Sequence, residues 1–307
     1  MNDLRCSAQS EQLGDSPLGT AGHDDHYLLV ELPLPWPKSI EDHPLLTGLV
    51  ADETTFSTRL LAVLSDQPSS TAPDGSPVHR VISYRSGDGS TFSHFQRREA
   101  FIRRDDLVAV IGDIVSGDLS DLEPVDDGVT DVLICTHGSR DRCCGTDGAR
   151  LFLDLIGRDL PDVRAWRTSH TGGHRFAPIA LTFPDGYTWG RLAGEQLVGL
   201  LEQSLDPSDL LDVNRGCMGF ADPAAQVADA VALAEFGWDW SSSEREAQVS
   251  SGHGGREFTV EIGGELGQLD VTVRRGDPIP VPACGEPIEM AKKTTSPLFV
   301  IEVERGE

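Results

Sequence analysis

The stretch Asp131–Ile156, DVLICTHGSRDRCCGTDGARLFLDLI, opens on an apolar run that ends in a cysteine and closes on a segment of helical character. Asp131 to Cys135 has the near-continuous apolar content of a strand buried on both faces. A polar, glycine-bearing loop follows. From about Thr146 to Ile156 a helix is expected, with Leu151, Leu153, Leu155 and Ile156 supplying most of its apolar residues. Arg164 to Thr168 predicts a second strand, which leads into Ser169-His-Thr-Gly-Gly-His174. Pro178 to Phe183 and Tyr187 to Leu192 flank Pro184-Asp185-Gly186 and predict a hairpin, and Glu195 to Leu205 predicts a helix. Strand, helix, strand, hairpin, helix is the order of a thioredoxin-like layer, here assigned to residues 129–206.

Working outward, residues 26–128 read as a separate α/β block. Tyr27 to Leu32 is a short apolar strand ended by Pro33, and Phe56 to Leu64 has helical spacing through Leu60, Leu61 and Leu64. Val78 to Tyr84 and Phe92 to Phe101 predict strands across the turn Arg85-Ser86-Gly87-Asp88-Gly89, and Asp105 is positioned to cap a helix through Val115. This block is read as a second, ligand-free copy of the thioredoxin-like architecture, joined by an acidic linker at 117–130. Residues 1–25 are polar and predict a flexible tail. Residues 207–307 predict a small α+β region: an Ala-rich helix, Pro223 to Phe236, and alternating strands at Phe258 to Ile262, Leu269 to Arg274 and Leu298 to Val303. The fold class is therefore α/β.

The chain carries 25 Lys and Arg against 50 Asp and Glu, a net charge of −25. That balance excludes sequence-independent nucleic-acid binding, which needs a basic face to displace counterions. An acidic surface suits solubility or a basic protein partner. No run approaches the roughly 20 apolar residues that span a bilayer, and the start, Met1-Asn2-Asp3-Leu4-Arg5-Cys6, lacks the apolar core of a secretory signal. A cytoplasmic location without membrane association is expected. In a reducing compartment six cysteines call for a metal or redox explanation before a disulfide one.

Three of those cysteines and two histidines fall in the block at 129–206. Cys135 ends its first strand, Cys143 and Cys144 follow the polar loop, and His170 and His174 stand four apart around a glycine pair. Two glycines inside a helix would cost about 1 kcal/mol each relative to alanine, so a loop is expected there, able to turn both imidazoles to one centre. Cys144 precedes Gly145 and the start of the predicted helix, where the positive end of the dipole favours the thiolate that ligates metal.

At these residues the chain resembles a known family. Cys-Thr-His-Gly-Ser-Arg-Asp-Arg-Cys-Cys-Gly (135–145) with His-Thr-Gly-Gly-His-Arg-Phe-Ala (170–177) resembles the sucrase/ferredoxin-like family of thioredoxin-like ferredoxins. Leu28-Leu29-Val30-Glu31 with Pro35-Trp36, and Arg215-Gly216, are similar to it as well, so the resemblance covers most of residues 27–217. It implies a [2Fe–2S] cluster held by two cysteines nine apart and two histidines four apart, which here are Cys135, Cys144, His170 and His174. Cys143 is then a small neighbour of the cluster. The "sucrase" in the family's name has no paired-carboxylate counterpart in this chain. Two thiolates cancel the double positive charge of two ferric irons and two sulfides, and histidine ligation raises the potential, as in Rieske centres. An imidazole ligand also keeps a second nitrogen that can titrate, which predicts a pH-dependent midpoint potential.

The implied function is electron transfer between a reductase and an acceptor, as a carrier rather than a stand-alone enzyme. Two rivals stay open: an oxidoreductase using the cluster on a small substrate, and a structural zinc protein, since two Cys and two His also make a tetrahedral zinc set. Zinc fingers space the pairs about 12 apart on a basic helix; here the gap from 144 to 170 is 26 and the chain is acidic. Cys135-Thr136-His137 imitates half of a Rieske box, but no cysteine has a histidine three positions later, so His137 is expected beside the ligands or simply in the loop. Arg140, Asp141 and Arg175 are candidates to orient ligands or donate to the cluster. Cys6, Cys217 and Cys284 are expected to be ordinary thiols, and His23, His26, His43, His79, His94 and His253 surface or tail residues. Dinucleotide, Walker, His-Glu-x-x-His and Gly-x-Ser-x-Gly motifs are absent.

Overall fold

A computed structural model describes residues 4–49, 58–66, 71–72, 74–87, 90–252 and 254–306. Among them, ten strands form one mixed sheet: β1 (His26–Glu31), β2 (Thr58–Leu64), β3 (Val78–Arg85), β4 (Gln96–Arg103), β5 (Glu123–Pro124), β6 (Thr130–Cys135), β7 (Val163–Thr168), β8 (Ile179–Phe183), β9 (Tyr187–Gly190) and β10 (Asn214–Cys217). Their spatial order is β10-β9-β8-β6-β7-β2-β1-β3-β4-β5. β1 and β2 run parallel, as do β6 and β7, and every other neighbouring pair is antiparallel. The order β2-β1-β3-β4 thus repeats as β7-β6-β8-β9 with the same strand directions. The two sets meet edge to edge at β2 and β7, in register at Val63↔Thr168 and Leu64↔Arg167.

Both β1 and β6 are buried along almost their whole length, which is why each reads as an unbroken apolar run. Side chains alternate between two cores, as the pleat requires. Leu28 and Val30 join Ala62, Val81 and the inner face of helix α2 (Leu107–Val115; α1 is given below), whereas Tyr27 and Leu29 join Leu61, Val63 and Ile82 on the opposite side. On that second side lie α3 (Ala149–Ile156), α4 (Gly194–Leu201) and α5 (Pro223–Phe236). Helix α5 packs on β10 and on a second, four-stranded sheet of β11 (Arg245–Ser251), β12 (Glu257–Gly264), β13 (Gly267–Arg275) and β16 (Leu298–Arg305). A short ladder of β14 (Ile279–Pro280) and β15 (Thr294–Thr295) lies between β13 and β16 in the chain. The many alanines of α5 let both layers approach it closely, and the buried Arg245–Asp229 pair at 2.6 Å pins β11 to the helix.

The molecule is accordingly a mixed α/β chain dominated by the large sheet, with a small sheet at its C-terminal end. Four expectations need correction. The segment expected as a helix is strand β2: Leu60 and Leu64 face one core and Leu61 and Val63 the other, so an alternating strand had imitated helical spacing. Its first residues, Phe56 and Ser57, lie outside the described residues, as do Asp88, Gly89 and His253. The supposed flexible tail contains helix α1 (Cys6–Gln12), with Cys6, Ser10 and Asp15 buried. Its polar residues are consumed internally: Asp15 accepts from Ser10 at 2.9 Å and pairs with Arg175 at 2.6 Å, and Arg191 donates to Ser10 at 3.1 Å. His26 and His43 are buried rather than superficial, satisfied by Thr58 and Ser83 and by the Pro33 carbonyl. Finally, Asn214–Cys217 belongs to the large sheet, not to the C-terminal region. No helix among the described residues is long and apolar enough to cross a membrane.

Candidate metal centre

Cys135 is the last residue of β6, and Cys144 opens a π-type turn, Cys144–Gly148, that runs straight into α3. Two glycines allow the turn to reach the strand. A Cβ on Gly145 would stand 2.5 Å from the Gly138 Cα, and one on Gly148 would stand 1.9 Å from the Cys135 carbonyl oxygen. Backbone therefore meets backbone, and the two thiols, both fully buried, come side by side. The histidine loop is built by a second device. Gly172 and Gly173 have φ of +86° and +72°, the left-handed region that glycine tolerates. The loop expected from the glycine pair is thus present, with the two imidazole centres 6.3 Å apart.

The four residues are brought to one region, though not equivalently. Cys135 contacts both Cys144 and the His170 ring, and the backbone N–H groups of His137 and Thr171 point at its sulfur. Nδ1 of His170 is buried with no hydrogen-bond partner among the described residues. His174 engages its Nδ1 with the Asp141 carboxylate at 2.9 Å and Cys6 Sγ at 3.2 Å, and Nε2 takes no part in those contacts. A carboxylate on the far nitrogen is the usual way a protein fixes a metal-binding imidazole. Of the two adjacent thiols, Cys135 is held well below its ordinary pKa, chiefly by the Cys144 thiol and against the cost of burial, while the same contact pushes Cys144 up.

The surroundings explain three residues that the sequence left undecided. His137 accepts the His170 backbone N–H on Nδ1 at 3.0 Å and reaches the Pro37 carbonyl with Nε2 at 2.9 Å, so both ring nitrogens are engaged and it is a support, not a ligand. Trp36 packs edge-on against it, 6.0 Å between ring centres, which gives the early Pro35-Trp36 motif a place at the site. Arg215 is buried behind the histidine loop and near both Cys135 and Cys144; burial first, then Arg175, lowers its pKa to about 10. Its guanidinium would stand within 2.4 Å of a Cβ on Gly173, which is why that loop position is a glycine. Arg59 donates to the His170 carbonyl at 2.9 Å from the other half of the sheet.

A second group of donors was invisible in the sequence. Cys6 from α1, Cys143 from the cysteine loop and Cys284 from the C-terminal region converge, with sulfur separations of 3.6 Å (Cys6–Cys143), 3.3 Å (Cys6–Cys284) and 3.0 Å (Cys143–Cys284). Asp141 joins them, and these four ligand atoms all lie within 4.8 Å of one another. Cys143 is held below its ordinary pKa, first by the Cys284 thiol and then by that of Cys6. Cys217, by contrast, is an ordinary buried thiol whose pKa burial raises. No spacing rule joins residues 137 and 141 positions apart, and an adjacent Cys143-Cys144 pair gives no sign that its members face different ways.

A family model described as sucrase/ferredoxin-like matches residues 17–216. The chain is also similar to altered inheritance of mitochondria protein 32 of Meyerozyma guilliermondii, 31% identical over 96 residues, which is 28% of this chain and 34% of that protein. The chain spans about a third of the length of that curated relative. No solved structure matches.

Proposed function

Because the chain belongs to the sucrase/ferredoxin-like family, we propose that it holds a [2Fe–2S] cluster on Cys135, Cys144, His170 and His174 and works as a one-electron carrier. The observation that supports the reading is the meeting of two buried thiols with the His170 ring, whose buried Nδ1 has no hydrogen-bond partner among the described residues. The donor set fits: two thiolates neutralise the ferric core, and two imidazoles complete it without further charge. Bound there, the cluster supplies a one-electron couple at a higher potential than all-thiolate ligation would give. The protein's own part is positioning and charge. Asp141 orients His174, His137 fixes the backbone at His170, N–H groups of His137 and Thr171 donate to the Cys135 sulfur, and Arg215 offsets negative charge from behind.

The strand order β7-β6-β8-β9, with α3 between β6 and β7 and α4 after the hairpin, supports a thioredoxin-like assignment for this region. The matching order β2-β1-β3-β4 supports a second, ligand-free copy before it. The net charge of −25 favours basic redox partners, a reductase and an acceptor, with docking rates that fall as salt rises. Six unpaired thiols favour a reducing compartment such as the cytoplasm.

The test is iron and sulfide analysis with visible and paramagnetic-resonance spectra on anaerobically purified, reconstituted full-length chain. Stoichiometric iron and sulfide, lost in Cys135→Ser and His170→Ala, are expected. Their absence from the reconstituted protein, whatever its zinc content, would overturn the proposal. A second reading has one observation in its favour: a cleft beside the centre is lined by Lys38, Arg59, Arg140, His137 and His170 against a single carboxylate, Glu41, so cations outnumber anions there in an acidic protein. It would suit an oxidoreductase acting on a small anion, revealed by turnover of such a substrate with no protein acceptor present.

A further inference from the structure

We propose that Cys6, Cys143, Cys284 and Asp141 form a second metal site, a tetrahedral thiolate-rich zinc centre that adjoins the cluster site and shares none of its four ligands. Three facts make it a built site and not a chance grouping. First, its donors come from three remote parts of the chain, which has no reason of packing alone to collect three cysteines. Second, the spacing is that of a shell around a missing centre. A tetrahedron with zinc–sulfur bonds of about 2.3 Å separates its sulfurs by about 3.8 Å and a sulfur from a carboxylate oxygen by about 3.5 Å. The observed sulfur separations of 3.6, 3.3 and 3.0 Å are contracted from this by about 0.2 to 0.8 Å, a distance that an entering ion would open, and Asp141 Oδ1 lies 3.4 Å from Cys284 and 4.0 Å from Cys6. A disulfide would need about 2.05 Å, and three sulfurs cannot all pair.

Third, the shell around these donors is complete. The Asp141 Oδ1 atom accepts the Cys143 backbone N–H at 3.1 Å, and Ser7 donates to Cys143 at 3.5 Å. Cys6 and Cys143 are buried, while a small cavity lined by Leu4, Arg5, Arg142, Thr146, Cys143 and Cys284 gives a path for the ion from solvent. Three sulfurs and one carboxylate make a four-donor set that suits structural zinc, which needs no electron exchange: the ion enters as the thiols give up their protons. Its place in the fold indicates its use. It ties α1 and the 283–285 loop to the cysteine loop, closing spans of 137 and 141 residues beside the contact from Gly285 N–H to the Leu4 carbonyl at 2.8 Å. One consequence rests on the cluster reading above: Asp141 would join the two centres, Oδ1 on zinc and Oδ2 on His174.

The full chain, purified anaerobically, should contain one zinc ion, and apoprotein should bind cobalt(II) with intense thiolate-to-metal absorption. Zinc-edge X-ray absorption on the wild-type chain should show three sulfurs and one light atom. Cys6→Ser with Cys284→Ser should lose zinc and keep iron and sulfide, whereas Cys135→Ser should keep zinc and lose iron, so the two sites fail independently. Zinc unaffected by the double substitution, a shell of two or fewer sulfurs, iron in place of zinc at this site, or a Cys143–Cys284 disulfide in the anaerobic protein would each overturn the proposal. Should the double variant not fold, the wild-type absorption edge and cobalt spectrum decide it alone.

Discussion

Replacing Gly148 by alanine sets two physical effects against each other. Gly148 has φ −65° and ψ −41°, ordinary helical values. Backbone entropy and helix propensity alone therefore predict that Gly148→Ala stabilises the protein by about 1 kcal/mol. The structure predicts the reverse. The new Cβ would lie 1.9 Å from the Cys135 carbonyl oxygen, where the closest ordinary carbon–oxygen contact is about 3.3 Å. The start of α3 would have to retreat by roughly 1.4 Å, an overpacking that costs about 1–3 kcal/mol net of the propensity gain. A shift of that size also exceeds the ~0.2 Å tolerance of a ligand shell, and it separates the segments that carry Cys135 and Cys144. Gly112, inside α2, is the control: nothing lies within 4 Å of its Cβ position, so Gly112→Ala should stabilise by about 1 kcal/mol. Urea unfolding of both variants, with iron content measured alongside, separates the outcomes. If Gly148→Ala were as stable as Gly112→Ala, the close approach that builds the centre would be wrong.

Asp229→Ala should cost about 3–5 kcal/mol by stranding the fully buried Arg245 guanidinium; a loss under 1 kcal/mol in denaturant unfolding would show that its carbonyl partners suffice. Burial, then Arg85, lowers the His26 pKa from 6.5 to about 4, so the unfolded chain takes up this proton first as pH falls. Stability from His26 is therefore complete above about pH 6.5 and lost toward pH 4, up to about 3 kcal/mol, and His26→Gln should flatten the unfolding curve over that interval. An unchanged slope would contradict it. His137→Ala should release iron to a chelator about 10–100-fold faster by freeing the His170 backbone, and His137→Asn, which can still accept that N–H, should recover part of the loss. Release at the wild-type rate in His137→Ala would remove its supporting role.

The large sheet was legible wherever one strand carried a local signal. Apolar runs such as Asp131–Cys135 and the Pro184-Asp185-Gly186 turn are properties of neighbours in sequence, and β6 and the β8–β9 hairpin follow them closely. Thr58–Leu64 was misread because leucines at 60, 61 and 64 satisfy a helical period and a two-sided strand alike; only pairing with β1 and β7 decides. The N-terminal helix was misread as a tail because serine and aspartate look solvated until Arg175 and Arg191 arrive from 160 or more residues away. The same holds for the cysteines. Cys135, Cys144, His170 and His174 stood out by short spacings, whereas Cys6 and Cys284 acquire meaning only when the chain's ends fold onto Cys143.

The seam between β2 and β7 has a consequence for the half of the sheet that carries none of the proposed ligands. Thr168 is the last registered residue of the seam, and His170 follows two positions later. Ser169 is locked to Ala62 by reciprocal hydrogen bonds at 2.8 and 3.1 Å, Arg59 grips the His170 carbonyl, and Pro37 anchors His137. The N-terminal half is therefore a jig: it measures where the histidine loop leaves the sheet. A slip of one residue along the seam would reverse which side of the sheet Thr168 and Arg167 face and carry the loop's origin about 3.3 Å along the strand. Substitutions far from any donor atom, such as those that loosen β1 against β2, should thus degrade the proposed centre by miscalibration, with every proposed ligand still in the chain.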